Sequence, residues 1–254
     1  MTSRLVRAAG HELEYQLYPA RHANKPTLVL LHEGLGSVAM WRDFPARVAA
    51  ATGCETLVYS RYGHGQSDVP AAPFTPRYMH DEALKVLPEL LQRLHIVRPV
   101  LIGHSDGGSI ALIYAGDGRW ECAGLVLMAP HVFVEDVSIT SIEQAAVDFE
   151  TTDLPQKLGR YHRDAGKTFR RWNDIWLHPE FRAWNITGYL PRIECPVLAI
   201  QGEDDEYGSM AQIETIAQAA PAVELLKLAD CRHSAYRDQP EKTLNAIKRF
   251  VGEL

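Results

Sequence analysis

Pro99–Tyr114 reads PVLIGHSDGGSIALIY, and the interpretation of the chain turns on it. Pro99 to Ile102 is a short aliphatic run suited to a buried strand, and Ile110 to Tyr114 continues as a small-and-apolar helical segment. Between them stands Gly103-His104-Ser105-Asp106-Gly107, a G-x-S-x-G pattern in a strand–turn–helix setting. A serine so placed sits on a strained turn with its hydroxyl projecting beyond the sheet, and side chains in place of the two glycines would collide where strand and helix approach. Glycine-rich turns before helices also occur in nucleotide-binding folds, where amides hold phosphate. That alternative fails on spacing, because no G-x-G-x-x-G accompanies a strand here.

On this pattern the chain resembles the α/β-hydrolase family, a mostly parallel twisted sheet flanked by helices. The resemblance extends outward in both directions. Upstream, the apolar run Thr27–Leu31 reads as a buried strand and ends in His32-Glu33-Gly34-Leu35-Gly36-Ser37. In the family this loop typically reads His-Gly and donates one backbone N–H to an oxyanion hole, the second coming from the residue after the serine. The resemblance thus implies Gly34 and Asp106 as oxyanion donors, with Glu33 N–H as the alternative to Gly34. Glu33 stands where the family has glycine. Its side chain is read either as a solvated loop carboxylate or as a group beside the site paired with a base such as Arg61.

Downstream, Pro196–Gln201 is another buried strand, followed by Gly202-Glu203-Asp204-Asp205. Similar family members carry the triad acid on this loop as G-x-x-D, which selects Asp205 ahead of Asp204. After a strand over Val223–Leu228, Cys231-Arg232-His233-Ser234 falls where the family's catalytic histidine sits. The implied triad is Ser105, Asp205 and His233, in the chain order of α/β-hydrolases rather than of chymotrypsin-like or subtilisin-like proteases. Each residue follows a strand, and strand ends converge at the carboxyl edge of a parallel sheet. Cys231 is the competing nucleophile, although a lone cysteine is more often a small buried apolar residue.

The 254 residues suffice for one large α/β domain, and 46% hydrophobic with 23% charged residues is ordinary for a soluble globule. A formal charge of −6 with no basic arm argues against a nucleic-acid partner. Met1–Arg7 lacks the apolar centre of a secretory signal, and no stretch supplies the ~18 uninterrupted apolar residues of a membrane span. A cytoplasmic location is therefore expected, with no membrane partner. Cys54, Cys122, Cys195 and Cys231 form no C-x-x-C pair, so neither disulfides nor a metal site are expected, and no cofactor is called for. Oligomeric state, monomer or homodimer, stays open.

Other segments complete the pattern. His11–Tyr18 alternates as an edge strand of a hairpin would. Ser60–Asp68 is similar to the R-G-x-G-x-S loop of the family and reads as structural, with His64 a packing histidine. Leu84, Leu87, Leu91 and Leu94 share one face of a helix from about Met79 to Leu94.

From Val132 to about Ile193 the alternation of strand and helix stops. By position and resemblance, 132–193 is expected to be a helical cap inserted in a core formed by 1–131 and 194–254. It holds a basic stripe, of which Arg163 and Arg170 are the candidates to bind a substrate carboxylate, the alternative being a solvated helix face.

The expected activity is hydrolysis of small-molecule carboxylic esters or lactones through an acyl-enzyme. A carbon–carbon hydrolase of aromatic ring-fission products is the near alternative, weakened because Ser234 and Ala235 rather than tryptophan follow His233. A low-turnover hydrolase-fold receptor is the alternative of another class. Since Ser105 occupies the nucleophile position, the aspartate-dependent epoxide hydrolases and dehalogenases are disfavoured.

Overall fold

Apolar side chains alternating along short central strands divide the core into two faces. In the computed structural model, which describes residues 3–22 and 25–254, eight strands form one sheet. They are β1 (Arg4–Ala8), β2 (His11–Tyr18), β3 (Leu28–Leu31), β4 (Thr56–Tyr59), β5 (Val100–His104), β6 (Gly124–Met128), β7 (Val197–Gly202) and β8 (Val223–Leu228). Met1 and Thr2, part of the N-terminal stretch read above for targeting, lie outside the described residues.

The strand order is β1-β2-β4-β3-β5-β6-β7-β8; β1 and β2 are antiparallel to each other, β2 is antiparallel to β4, and the remaining pairs are parallel. One expectation is corrected here. β2 is not an edge strand, because Arg4–Ala8 pairs along its outer side. The polar alternation that suggested an edge arises because a two-stranded ribbon at the end of a sheet exposes part of both strands.

Val29 and Leu31 of β3 join Leu101, Leu125 and Leu127 on one face, whereas Leu28 and Leu30 join Val100, Ile102, Val126 and Met128 on the other. The second face is covered by α1 (Phe44–Thr52), with Trp41 before it, and by α9 (Ala235–Asp238) and α10 (Pro240–Gly252). The first is covered by α2 (Tyr78–Asp81), a π-helical stretch at Glu82–Val86, α3 (Leu87–Arg93) and α4 (Asp106–Asp117). Between β6 and β7 the chain forms α5 (Asp136–Thr151), α6 (Leu154–Leu158) and α7 (Ala165–Trp176), then two short 3-10 helices, Pro179–Ala183 and Thr187–Arg192. The apolar side chains of this insertion, Phe169, Trp172, Trp176 and Phe181 among them, are continuous with the core of the first face. Helix α8 (Ala211–Ala219) links β7 to β8.

Strand β5 runs into α4 through a turn that only small neighbours permit. Ser105 has φ 52° and ψ −119°, a left-handed backbone that costs a non-glycine residue of order 1–3 kcal/mol. A Cβ on Gly107 would stand 2.0 Å from the carbonyl oxygen of Leu31, and one on Gly103 would stand 2.3 Å from that of Gly107. Helix α4 can therefore lie directly on β3 and β5. The Ser105 amide is in turn tied to Met128 O at 2.9 Å, so β6 also holds the turn.

A buried polar network ties the loops around this turn together. Arg61, after β4, sits 3.3 Å from Asp106, and both side chains are at most 3% exposed. Tyr78 Oη donates to Asp106 Oδ2 at 2.9 Å, and Trp176 Nε1 donates to Tyr78 Oη at 3.0 Å, which links α4, α2 and α7. Arg61 Nη2 also donates to Glu33 O at 2.8 Å, and His32 Nε2 accepts from Arg61 N at 3.0 Å. Burial raises the Asp106 carboxyl above its ordinary range even though Arg61 pulls the other way.

Truncating Arg61 would leave a carboxylate buried without its counter-charge. We expect Arg61→Ala to destabilise the fold by about 3–5 kcal/mol in urea unfolding. A loss below about 1 kcal/mol would mean that Asp106 does not depend on Arg61.

Candidate active site

The carboxyl ends of β5, β7 and β8 bring together residues that lie far apart in sequence. Asp205, three residues past β7, points at His233, five residues past β8, with Oδ1 2.8 Å from Nδ1. The Asp205 side chain is 1% exposed and that of His233 12%. Asp205 is held from two further directions, by Gln201 Nε2 at 2.7 Å and Tyr207 N at 2.8 Å. Asp204 is exposed on the neighbouring surface. Because the aspartate holds a proton on Nδ1, His233 Nε2 is left as the ring's lone-pair nitrogen.

The protonation equilibria follow from these contacts. For His233, burial opposes the cation, but the bond to Asp205 and the charges of Asp205, Glu206 and Glu33 outweigh it, so its pKa is raised. For Asp205, burial favours the neutral acid, and the His233 bond and charge outweigh it, so its pKa is lowered. Both shifts favour an imidazolium–carboxylate pair whenever His233 takes up a proton.

Ser105 Oγ has no hydrogen-bond partner among the described residues, so the serine and the histidine are not bonded in this state. Proximity is evident from the adjacent side chain. His104 donates from Nε2 to the backbone carbonyl of His233 at 2.9 Å, and the two rings lie 5.0 Å apart. Apo enzymes often show such loose serine–histidine geometry. Neither Gly34 N–H nor Asp106 N–H donates to another described residue, whereas the Glu33 carboxylate accepts from its own backbone N–H. From above, Trp172 of α7 covers the loop: a Cβ on Gly34 would stand 2.1 Å from the indole Nε1.

Glu33 departs from the solvated reading. Its side chain is 18% exposed, and Oε2 lies 3.6 Å from His104 Nδ1. Arg61 bonds the backbone carbonyl of Glu33, not its carboxylate. Burial opposes ionisation of Glu33, yet His104 and, behind it, Arg237 outweigh that cost and bring its pKa down to about 2. Glu33 thus faces a histidine behind the serine turn instead of the space above it.

Arg163 and Arg170 are also corrected. Both are exposed; Arg163 lies 3.8 Å from Asp68, and Arg170 sits 6.0 Å over the ring of Phe149. The cause is the amphipathic rotation of α7, which buries Phe169, Trp172 and Trp176 and so sends Lys167 and Arg170 to solvent, while Arg163 precedes the helix. Cys231 is buried beside the site, and burial pushes its thiol up to about 11, the wrong direction for a nucleophile. The His64 ring nitrogens face only backbone carbonyls, Tyr62 O at 3.2 Å and Gly34 O at 2.9 Å, as those of a packing histidine do.

Three side chains of the site escaped the sequence reading. His104 occupies the free position of G-x-S-x-G, and Gln201 reaches Asp205 from the end of β7. His131 lies 5.9 Å from the His233 ring and against Trp176, where burial lowers its pKa to about 3 and keeps it neutral. None belongs to a pattern with fixed spacing. Cys122 and Cys195, distant in sequence, lie close enough for their thiols to hydrogen-bond at the starts of β6 and β7. Among the described residues no cluster of three or more His, Cys, Asp or Glu side chains could hold a metal ion. No helix there is long and apolar enough to cross a membrane.

Similarity to known proteins agrees with this architecture. A proline iminopeptidase of Saccharolobus solfataricus is 26% identical over 98% of this chain and 91% of its own length. The crystal structure of the enol-lactonase from Burkholderia xenovorans superposes with a TM-score of 0.78 at 20% identity, covering 98% of this chain and all of that one. A meta-cleavage product hydrolase from Pseudomonas fluorescens superposes equally well, TM-score 0.78 at 16% identity, over 98% and 97% of the two chains. The model of the alpha/beta hydrolase family matches residues 28–246, from β3 to β8 and everything between them. The chain is a member of the alpha/beta hydrolase family.

Proposed function

We propose that the protein hydrolyses small-molecule carboxylic esters or lactones through an acyl-enzyme on Ser105. The observation that carries this reading is the buried 2.8 Å Asp205–His233 bond behind a serine held at φ 52°, with unused amides on two sides. In this mechanism Ser105 Oγ attacks the carbonyl carbon while its proton passes to His233 Nε2, and Asp205 stabilises the imidazolium. The tetrahedral oxyanion is held by Gly34 N–H and Asp106 N–H, each such donor being worth about 3 kcal/mol. Collapse expels the alcohol oxygen, which takes the proton from His233. Water then repeats the sequence on the acyl-enzyme, giving the acid and free serine.

We further assign 132–193 as a cap over a core of 1–131 and 194–254. Trp172 and Trp176 from this segment, together with Tyr207 beside the His233 ring at 4.8 Å, offer an apolar, aromatic surface to an acyl group. Arg163 and Arg170 are exposed and engaged with Asp68 and Phe149, so a neutral acyl chain is the better fit. The enol-lactonase neighbour supports the lactone half of the proposal. The iminopeptidase relative makes a peptide amide the competing substrate class, and the meta-cleavage neighbour a carbon–carbon bond. A panel of p-nitrophenyl esters, lactones, a prolyl anilide and a ring-fission dienoate separates these. Highest kcat/KM on the anilide or the dienoate would replace the proposal.

A fluorophosphonate probe is expected to add one label to the wild type and none to Ser105→Ala, read by intact mass. Labelling that survives the substitution would remove Ser105 from the nucleophile role.

Asp205→Asn keeps the shape of the acid but favours the wrong histidine tautomer, and kcat should fall by about three to four orders of magnitude. Asp204→Asn should change little, and the reverse pattern would exchange the two assignments.

His233 acts as a base only when neutral, and its pKa is raised above 6.5, so kcat/KM should decline as pH falls through a value above 6.5. Glu33 contributes to that rise by its negative charge. Glu33→Gln is therefore expected to move the acid limb to lower pH, and an unmoved limb would show that Glu33 does not act on His233.

A further inference from the structure

A cavity of about 480 Å3 opens between the loop after β4, helix α2 and helix α7. Ser105, Asp205 and His233 are not among its walls, which include Tyr62, Pro70, Phe74, Tyr78 and Val86. Its volume lies in the range of small-molecule sites. Arg171, beside Trp172 on α7, is the one arginine of the basic stripe that turns inward to line it.

The state of Arg171 is unusual for a partly buried cation. Its guanidinium carbon lies 4.0 Å over the ring of Phe74 and 5.8 Å from that of Tyr62. Nη1 is pressed against Gly63, where a Cβ would stand 2.4 Å away and where φ is +87°. Nε and Nη1 are enclosed without any hydrogen-bond partner among the described residues. The two carboxylates bordering the cavity are committed elsewhere: Asp81 to Lys85 at 2.8 Å and Glu82 to Tyr59 Oη at 2.7 Å. Arg61, also at the wall, belongs to Asp106. Burial lowers Arg171 to about 10, aided by the charge of Arg61, which still leaves it cationic at neutral pH.

We propose that this cavity is a binding site for a small carboxylate with an apolar body, separate from the serine site, with Arg171 as its anion-binding group. A desolvated, unpaired guanidinium stacked between aromatic rings is shaped to accept a planar carboxylate. Pro70, Phe74 and Val86 provide the apolar surround for the body of the ligand. The site favours a monoanion over a dianion, because among the described residues lining it Arg61 and Lys85 are paired with carboxylates and Arg171 is not, and Asp81 and Glu82 stand nearby.

The test uses the full-length protein and isothermal titration calorimetry with 3-phenylpropionate and its neutral isostere, 3-phenylpropionamide. The acid should bind, and the amide at least tenfold more weakly. Arg171→Gln should weaken the acid at least tenfold. Ala72→Trp, at an exposed wall position, should also abolish binding by filling the cavity with Arg171 intact, so the result holds if Arg171→Gln fails to fold. Equal binding of acid and amide, or no binding of the acid to the wild type, overturns the proposal. So does undiminished binding of the acid to Ala72→Trp, which would place it elsewhere, including beside Ser105.

Discussion

The close approach of α4 to the sheet is the constraint on which the other features depend. Here a helix begins one residue after a buried strand because the turning residue accepts a left-handed backbone and the residues two positions to either side of it lack side chains. Ser105 takes φ 52°, while Gly103 and Gly107 leave room for carbonyls that a Cβ would meet at 2.0–2.3 Å. The strain is tolerated because the turn is held from both sides, by Leu31 across from Gly107 and by the Met128 carbonyl on the Ser105 amide. The same geometry leaves Asp106 N–H at the first turn of α4 without an intrahelical partner.

Charge burial around this turn is balanced in two layers. Beneath it, Arg61 offsets Asp106, and the Tyr78 and Trp176 hydrogen bonds extend that pair to α7. Beside it, Glu33 faces His104, and Asp205 faces His233. His104 joins these two pairs by donating to the His233 carbonyl. The Glu33 carboxylate is turned onto His104, and its field acts on the histidines.

Helix α7 shows how a single rotation partitions a basic stripe. Once Phe169, Trp172 and Trp176 are buried, Arg170 is carried to solvent, whereas Arg171, one residue on, is carried to the wall of a cavity. A step of 100° per residue separates a solvated charge from a desolvated one.

Strand runs and the G-x-S-x-G turn are local patterns, and they were legible because each depends on residues close in sequence; the serine–aspartate–histidine order came from the family resemblance. The apolar runs over β3, β4, β5, β6, β7 and β8, and the insertion between β6 and β7, follow from periodicity and composition alone. Directions of side chains are another matter. Whether Glu33 faces water, Arg61 or His104, which arginine near α7 turns inward, and how Gln201, His131 and the Cys122–Cys195 pair find their neighbours depend on strands and helices that meet only after folding. Sequence determined which residues could do chemistry at the ends of the strands; tertiary structure decided where their charges are desolvated and what they face. The reason is that backbone pattern is set by steric and hydrophobic preferences within a few residues, whereas the electrostatic environment of a side chain is the sum over every element packed against it.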